Sequence, residues 1–467
     1  MRAVLAAILI FLGAAGTRSA AAAPSWWDGF AGSGLTGCVH ALAFHDGQLV
    51  AGGSITVATP EGQAHAIVRW DGSAWHPMGA GLNGVVHALA LYDGELYAGG
   101  SLYGVGGGDS FGIARWDGTQ WVGLGRGTDG GAIYALRAYD GWLYAGGAFS
   151  TVGEGVPSPR IARWNGETWS PVGSGTDGVV RALEVYGGEL WVGGEFQQAG
   201  GLDAARLARW GSAFGWAAAP GTALDGVVGA LCVHEGDLVI GGSFSRVNHA
   251  ISSPNVARFN YATWTWNYFY PFGGGPGPVF CLASHGAGLA AGGGFGAATG
   301  WPYEHVALAQ RPTVPGRTNW WNALESGLDG DVYALASDGT FLYAGGCFAH
   351  AGGLESPGIA RWGEIATAGI ADPRAGWSRL LRAGPNPFGR DVRVTLASAR
   401  SGPGEIAVYD LQGRVVTILY RGALEDAPGA LLWDGRHADG EPAGAGVYFL
   451  RLTSPGRVET TRLVRTR

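Results

Sequence analysis

One phrase, repeated seven times around a Gly-Gly pair, constrains this chain more than any other feature. Its cleanest copy reads Val86-His87-Ala88-Leu89, then Tyr92 through Gly99-Gly100, then Ile113-Ala114-Arg115-Trp116-Asp117-Gly118, and ends at Trp121. The first glycines of the pairs stand at 52, 99, 146, 193, 241, 292 and 345, so successive spacings are 47, 47, 47, 48, 51 and 53 residues. A unit of that length cannot bury its own apolar face, and stacked copies build propellers or solenoids.

Each copy resolves into four short strands, A to D. Strand A is the Val-x-Ala-Leu run. A turn such as Asp93-Gly94 leads into strand B, which ends at Gly-Gly; strand C is Ile-Ala-Arg-Trp, and a second turn such as Asp117-Gly118 or Asn165-Gly166 leads to strand D with its Trp. Asp tolerates positive φ and Gly favours it, so both turns are hairpin signals. Four antiparallel strands per copy describe one propeller blade. The 86 glycines lack the every-third-residue period of collagen and fit a chain of tight turns. Net charge is −7 and every cation is Arg, placed about once per copy, so no basic stripe is available for phosphates and nucleic acid is not an expected partner.

The Gly-Gly pair, the aromatic before a turn and the Trp beyond it (Gly146-Gly147, Trp164-Asn165-Gly166, Trp169) resemble kelch repeats and the central domain of galactose-oxidase-like proteins. The resemblance spans about 340 residues and implies a fold, an all-β seven-bladed β-propeller; kelch-type propellers host enzymes, adhesins and adaptors alike. The seventh copy ends at Ile359-Ala360-Arg361-Trp362 with no strand D, while Trp26-Trp27-Asp28-Gly29-Phe30 parallels Trp320-Trp321-Asn322-Ala323-Leu324. An N-terminal strand over 26–37 is therefore expected to close blade seven and remove an open edge. Cys38 and Cys347 then face each other across that seam as a disulfide pair, while Cys232 and Cys281 read as buried thiols. The repeated Arg of strand C reads as a packing element of the blade, and the Asp-Gly pairs as turns before calcium ligands.

The ends of the chain have a different grammar. Residues 1–23 read as an export signal: Met1-Arg2, an apolar run from Ala3 to Ala15, then small residues from Ser19 to Ala23. The propeller is expected over 24–368, a linker over 369–380, and a small β-sandwich over 381–467, where alternating runs are separated by Gly-Arg, Asp-Gly and Pro-Gly turns. Pro385-Asn386-Pro387-Phe388, Tyr409-Asp410, Trp433-Asp434-Gly435-Arg436 and Gly446-Val447-Tyr448-Phe449 resemble the C-terminal sorting domain (type A) of type IX secretion cargo, itself similar to the Ig-like domain of flagellar hook-capping proteins. That resemblance implies passage across an outer membrane, the secretion machinery as partner, no stable transmembrane anchor, and a secreted or cell-surface location. An accessory sandwich packed beside the propeller is the other reading of the same strands.

No Gly-x-Ser-x-Gly, His-Glu-x-x-His or Cys-x-x-Cys is present, and no motif calls for a cofactor. Two candidate sites remain. The variable slot of Val-x-Ala-Leu holds His40, His87, Tyr134, Arg181, Gly229, Phe280 and Tyr333, which are expected at the mouth of the central channel. His40 and His87 are imidazoles in adjacent blades, a type that suits copper or zinc. Galactose-oxidase-like proteins hold copper with His and Tyr, but those ligands do not map here residue by residue, and no metal ligand is assigned. The second site lies where the repeat breaks, with Tyr268, Tyr270 and Phe272 leaving blade five and Trp301, Tyr303 and His305 in blade six; rings with polar tips suit flat sugars, and capping of two blades is the alternative role. Two function classes follow: a glycan- or protein-binding adhesion module, or an extracellular carbohydrate-active enzyme or metal-dependent oxidase. Near-identical blades favour the first.

Overall fold

The computed structural model describes residues 24–27, 29–30, 35–220, 224–248, 251–268, 277–296, 304–310, 321–364, 381–384, 391–396, 403–409, 415–428, 430–438, 440–444, 446–454 and 457–465. The chain divides into two compact units, Met1–Gly369 and Ile370–Arg467. The expected signal (1–23) and linker (369–380) lie outside the described residues.

The first unit contains seven four-stranded antiparallel sheets. Their A strands are Leu35–His45, Gly84–Tyr92, Ile133–Tyr139, Val180–Tyr186, Val227–His234, Val279–His285 and Val332–Ser337. Each A strand neighbours the A strands of the sheets before and after it, and the last neighbours the first, so the sheets stand in a closed ring with the A strands innermost. Every sheet has another on both faces. Strand B of sheet four, Glu189–Gly194, is accordingly buried at all its positions, which is why the B strands read as apolar runs rather than alternating ones.

The Gly-Gly pairs set the distance between sheets. A Cβ at Gly52 would lie 2.6 Å from Val86 Cγ1 in the next sheet, and one at Gly99 would lie 2.7 Å from Ile133 Cγ2. The same contact links Gly146 to Val180, Gly193 to Val228, Gly241 to Val279, Gly292 to Val332 and finally Gly345 to Val39. Each first glycine thus receives the β-branched residue of the following A strand, and the set closes on itself. The second glycine does something else: a Cβ at Gly53 or Gly100 would strike the carbonyl oxygen of Cys38 or Val85 within its own sheet.

The N-terminal strand completes the seventh sheet. Pro24–Trp27 pairs antiparallel with Ile359–Glu364, setting Trp26 opposite Trp362 as Trp75 stands opposite Trp70 and Trp121 opposite Trp116. Trp26 Nε1 donates to Leu324 O at 2.9 Å, the bond that Trp121 and Trp169 make to Met78 O and Leu124 O of their preceding sheets. The strand is shorter than the expected 26–37. Leu35–Gly37 instead belong to strand A of sheet one, paired with Ile55–Val57, because the first hairpin runs on to Val57 past its Gly-Gly pair, further than the second, to Leu102, or the fifth, to Ser243. Cys38 and Cys347 form a disulfide, with Cα atoms 4.5 Å apart, that ties sheet one to sheet seven.

In the second unit a three-stranded sheet (Leu381–Gly384, Val392–Leu396, Ala430–Trp433) and a four-stranded sheet (Val415–Ala423, Pro403–Tyr409, Gly446–Ser454, Arg457–Arg465) share one core. Val392, Val394 and Trp433 from the first meet Ile406, Val408, Leu450 and Leu452 from the second. Among the described residues no helix is long and apolar enough to cross a membrane.

Trp26→Ala removes a ring packed 5.2 Å from Trp362 together with the bond to Leu324, and is expected to cost about 3–5 kcal/mol, read as a fall in Tm. Replacing both Cys38 and Cys347 with Ser is expected to cost up to about 4–5 kcal/mol in the chain-entropy account. Unchanged melting in both variants would show that the seam adds nothing to stability.

Candidate functional site

In all seven sheets the A–B pairing slips by one residue at the variable slot. Val39 pairs with Gly53 and Ala41 with Gly52, leaving His40 as the extra residue of a β-bulge. The slip recurs between Val86 and Ala88, Ile133 and Ala135, Val180 and Ala182, Val228 and Ala230, Val279 and Cys281, and Val332 and Ala334. A bulge re-aims its extra side chain. Each slot residue is half-buried between two buried neighbours, so the slot alone faces the axis.

The seven meet in one cavity of about 490 Å³, lined by His40, His87, Tyr134, Arg181, Gly229, Phe280 and Tyr333 together with Glu195, Ser243 and apolar backbone-proximal groups. Their rings form a continuous arc. The Arg181 guanidinium lies 4.2 Å from the Tyr134 centroid; Tyr134 and His87 centroids are 5.2 Å apart, His87 and His40 5.5 Å, His40 and Tyr333 4.9 Å, and Tyr333 and Phe280 5.3 Å. Gly229 supplies no side chain between Phe280 and Arg181, which leaves the arc open on one side.

A second layer of residues holds the arc in place. Ser101 Oγ lies 3.2 Å from His87 Nε2 and Ser54 Oγ 3.5 Å from His40 Nε2, while Glu195 binds Arg181 at 2.7 and 2.8 Å. Ser54, Ser101 and Glu195 each follow directly on a Gly-Gly pair. Sequence reasoning missed this layer, although its signal was present: the residue after Gly-Gly changes from copy to copy just as the slot does. Tyr333 donates its phenol to Asp331 at 3.2 Å.

Burial lowers both imidazole pKa values. His40 falls below its ordinary value for that reason alone, and His87 falls to about 4 as burial is joined by the fields of His40 and Arg181. The cavity wall is thus neutral near pH 7 apart from the compensated Arg181–Glu195 pair. A His with a depressed folded pKa stays unprotonated while the unfolded chain takes up a proton, so stability falls as pH drops from about 6.5 toward about 4. The His87 ring protons are expected to titrate near pH 4 by NMR, and His87→Gln is expected to flatten the stability slope over that window. Titration at the ordinary 6.5 would refute the buried geometry.

The other sequence candidates are placed as follows. Tyr270, Phe272, Trp301 and Tyr303 lie outside the described residues; Tyr268 ends the strand Thr265–Tyr268, opposite Ala257, and its side chain also lies outside them. His305 adopts φ 61°, the left-handed corner before strand C that Ala66, Arg160 and Asn255 also adopt, so its backbone role is shared by the repeat. Its Nδ1 lies 3.1 Å from Gly293 O and 3.4 Å from Asp331. The strand C arginines pack within sheets: Arg115, Arg209 and Arg258 bind Glu95, Glu189 and Asp237, and Arg163 covers Trp142. Cys281 is buried and Cys232 half-buried, and burial raises both thiol pKa values, that of Cys232 to about 11. Among the described residues no three His, Cys, Asp or Glu side chains gather as a metal site.

Residues 140–166, the B and C strands of sheet three with their turns, match the model of a β-propeller domain of unknown function, DUF5122. None of the curated proteins compared with the chain matches it. Among solved structures it is similar to PorZ, described as an essential bacterial surface component of the type IX secretion system of Porphyromonas gingivalis, at 15% identity and TM-score 0.41, over 92% of this chain and 59% of that one. The chain thus spans about 59% of PorZ's length. YjhT is similar at 12% identity and TM-score 0.35, over 61% of this chain and 97% of its own. Dimeric latent PorU of Porphyromonas gingivalis is similar at 13% and 0.18, over 71% and 32%. At those identities and TM-scores none of the three says what this chain binds or does. The closed ring of four-stranded sheets and the matched model together make the first unit a β-propeller.

Proposed function

We propose that the chain is an exported, non-enzymatic binding module, attached to the cell surface or released from it, whose seven-bladed propeller takes a glycan or protein ligand at the mouth of its central channel. One observation carries this reading: a single cavity gathers the slot position, which holds His, Tyr, Arg, Gly or Phe in different copies while its flanking residues stay nearly constant. A wall built only for packing would repeat its residue, as the flanking Val and Ala do. Aromatic faces with phenol, imidazole and guanidinium tips offer both stacking and hydrogen bonds. The carboxylate in the lining, Glu195, is held by Arg181, which favours holding a ligand over moving a proton.

Export rests on the sorting-domain resemblance of the second unit and on the signal reading of residues 1–23. The Trp433–Arg436 landmark forms a tight corner, with Trp433 Nε1 donating to Arg436 O at 2.9 Å and Arg436 Nη1 to Gly440 O at 2.7 Å.

Full-length chain on a glycan and surface-protein array is expected to bind, and Tyr134→Ala and Tyr333→Ala are each expected to weaken that binding at least tenfold with Tm preserved. Undiminished affinity in both would remove the cavity as the site. Deleting 381–467 is expected to keep the propeller inside the cell, scored by protection from protease added to whole cells.

A further inference from the structure

Five of the ring's A strands end in a residue that ties its sheet to the next one. Tyr92, Tyr139 and Tyr186 donate their phenols to Gly141 O, Gly188 O and Gly236 O at 2.8, 2.9 and 3.0 Å, and His234 and His285 reach Ser284 and Ser337 at 3.0 and 2.8 Å. Sheet one ends in His45. Its ring makes no hydrogen bond among the described residues; the place taken by Ser284 and Ser337 in later sheets is held here by Leu91, an apolar side chain 47% exposed.

A second departure sits beside the first. Arg69 occupies the repeated strand C position, where Arg115, Arg209 and Arg258 face a carboxylate. Its own partner is the neutral amide of Gln48, at 2.9 Å from Nη1. The two departures together leave a cavity of about 550 Å³ between sheets one and two, within the size range of small-molecule sites. It lies at the far end of strand A from the slot, about 16 Å away for five residues at roughly 3.3 Å each.

The chemistry of the walls is divided. Sheet one contributes donors, the Arg69 guanidinium with the Gln48 amide and the His45 ring; sheet two contributes the carboxylates Glu95 and Asp117 and the half-buried ring of Trp116. Glu95 is already paired with Arg115, but Asp46 and Asp117 still outnumber Arg69, so an anionic ligand is disfavoured. A sugar hydroxyl both donates and accepts, and a pyranose presents a C–H face that stacks on an indole. We propose that this cleft is a second ligand site, separate from the channel mouth, and that it takes a neutral saccharide unit. The other tethers mark it as a place where the repeat gives up a sheet-to-sheet bond to keep space open.

The repeat itself supplies the test. The double variant His45→Tyr with Gln48→Glu installs in sheet one the tether and the acid partner found in sheet two, so it closes the cleft without removing packing. Full-length chain is probed with cellobiose, maltose, lactose and diacetylchitobiose at millimolar concentration by ligand-observed NMR. At least one disaccharide is expected to bind, the double variant to lose that binding more than tenfold with Tm unchanged or raised, and Tyr134→Ala at the channel mouth to leave it intact. Arg69→Gln serves as a second variant and is expected to weaken binding similarly. Failure of all four sugars to bind, or retained binding in a folded double variant, overturns the site; loss in Tyr134→Ala alone reassigns the sugar to the channel mouth and overturns it equally.

Discussion

The seven contacts between a glycine of one sheet and a β-branched residue of the next are the constraint on which the rest of the first unit depends. Dispersion attraction falls steeply with separation, and adjacent sheets come close at the axis only where one side carries no Cβ. Val39 on Gly345 is the same contact as Val86 on Gly52. Because the first and last sheets meet by the rule used everywhere else, the ring needs no special element at its centre to close. The special elements lie elsewhere on the seam: the borrowed outer strand Pro24–Trp27 and the disulfide.

The bulge separates what holds the ring from what faces its axis. Without it, the slot residue would keep the strand's alternation and its side chain would be bound by the packing of a neighbouring sheet. With it, the Val before and the Ala after stay in the core and the slot residue is released to the cavity. Imidazole, phenol, guanidinium, benzyl or hydrogen then occupy one backbone position without disturbing the sheet. The second glycine of the pair makes this possible, since its missing side chain leaves room for the carbonyl that the bulge pushes toward it. The glycine pair therefore carries two roles, one across sheets and one within a sheet.

Much of this was legible before any coordinates. The period, the strand order, the slot and the existence of an N-terminal supplement, though not its bounds, follow from spacing and residue type, because a repeat states the same packing problem seven times. What was not legible depends on departures from alternation and on residues that act in pairs across the chain. The bulge leaves no mark in one copy; Val-x-Ala reads equally well as ordinary alternation. The partnership of His87 with Ser101, or Arg181 with Glu195, joins two positions that each look merely variable. The open seam at His45 is visible only once Tyr92, Tyr139 and Tyr186 are seen to perform a common task. The aromatic site expected around Trp301 and Tyr270 falls on residues outside those described.

The outer strand of sheet seven joins positions 26 and 362, and this has a consequence for the order of events during synthesis. Six sheets are contiguous in the chain and can form as each copy emerges, since their partners are local. The seventh must wait: Pro24–Trp27 is made first and finds Ile359–Glu364 last, so the ring stays an open horseshoe until nearly all of the first unit exists. The bond between Cys38 and Cys347 requires sheets one and seven to meet, and under oxidising conditions it holds them together. The intact disulfide is thus a chemical record that sheets one and seven of a given molecule have met.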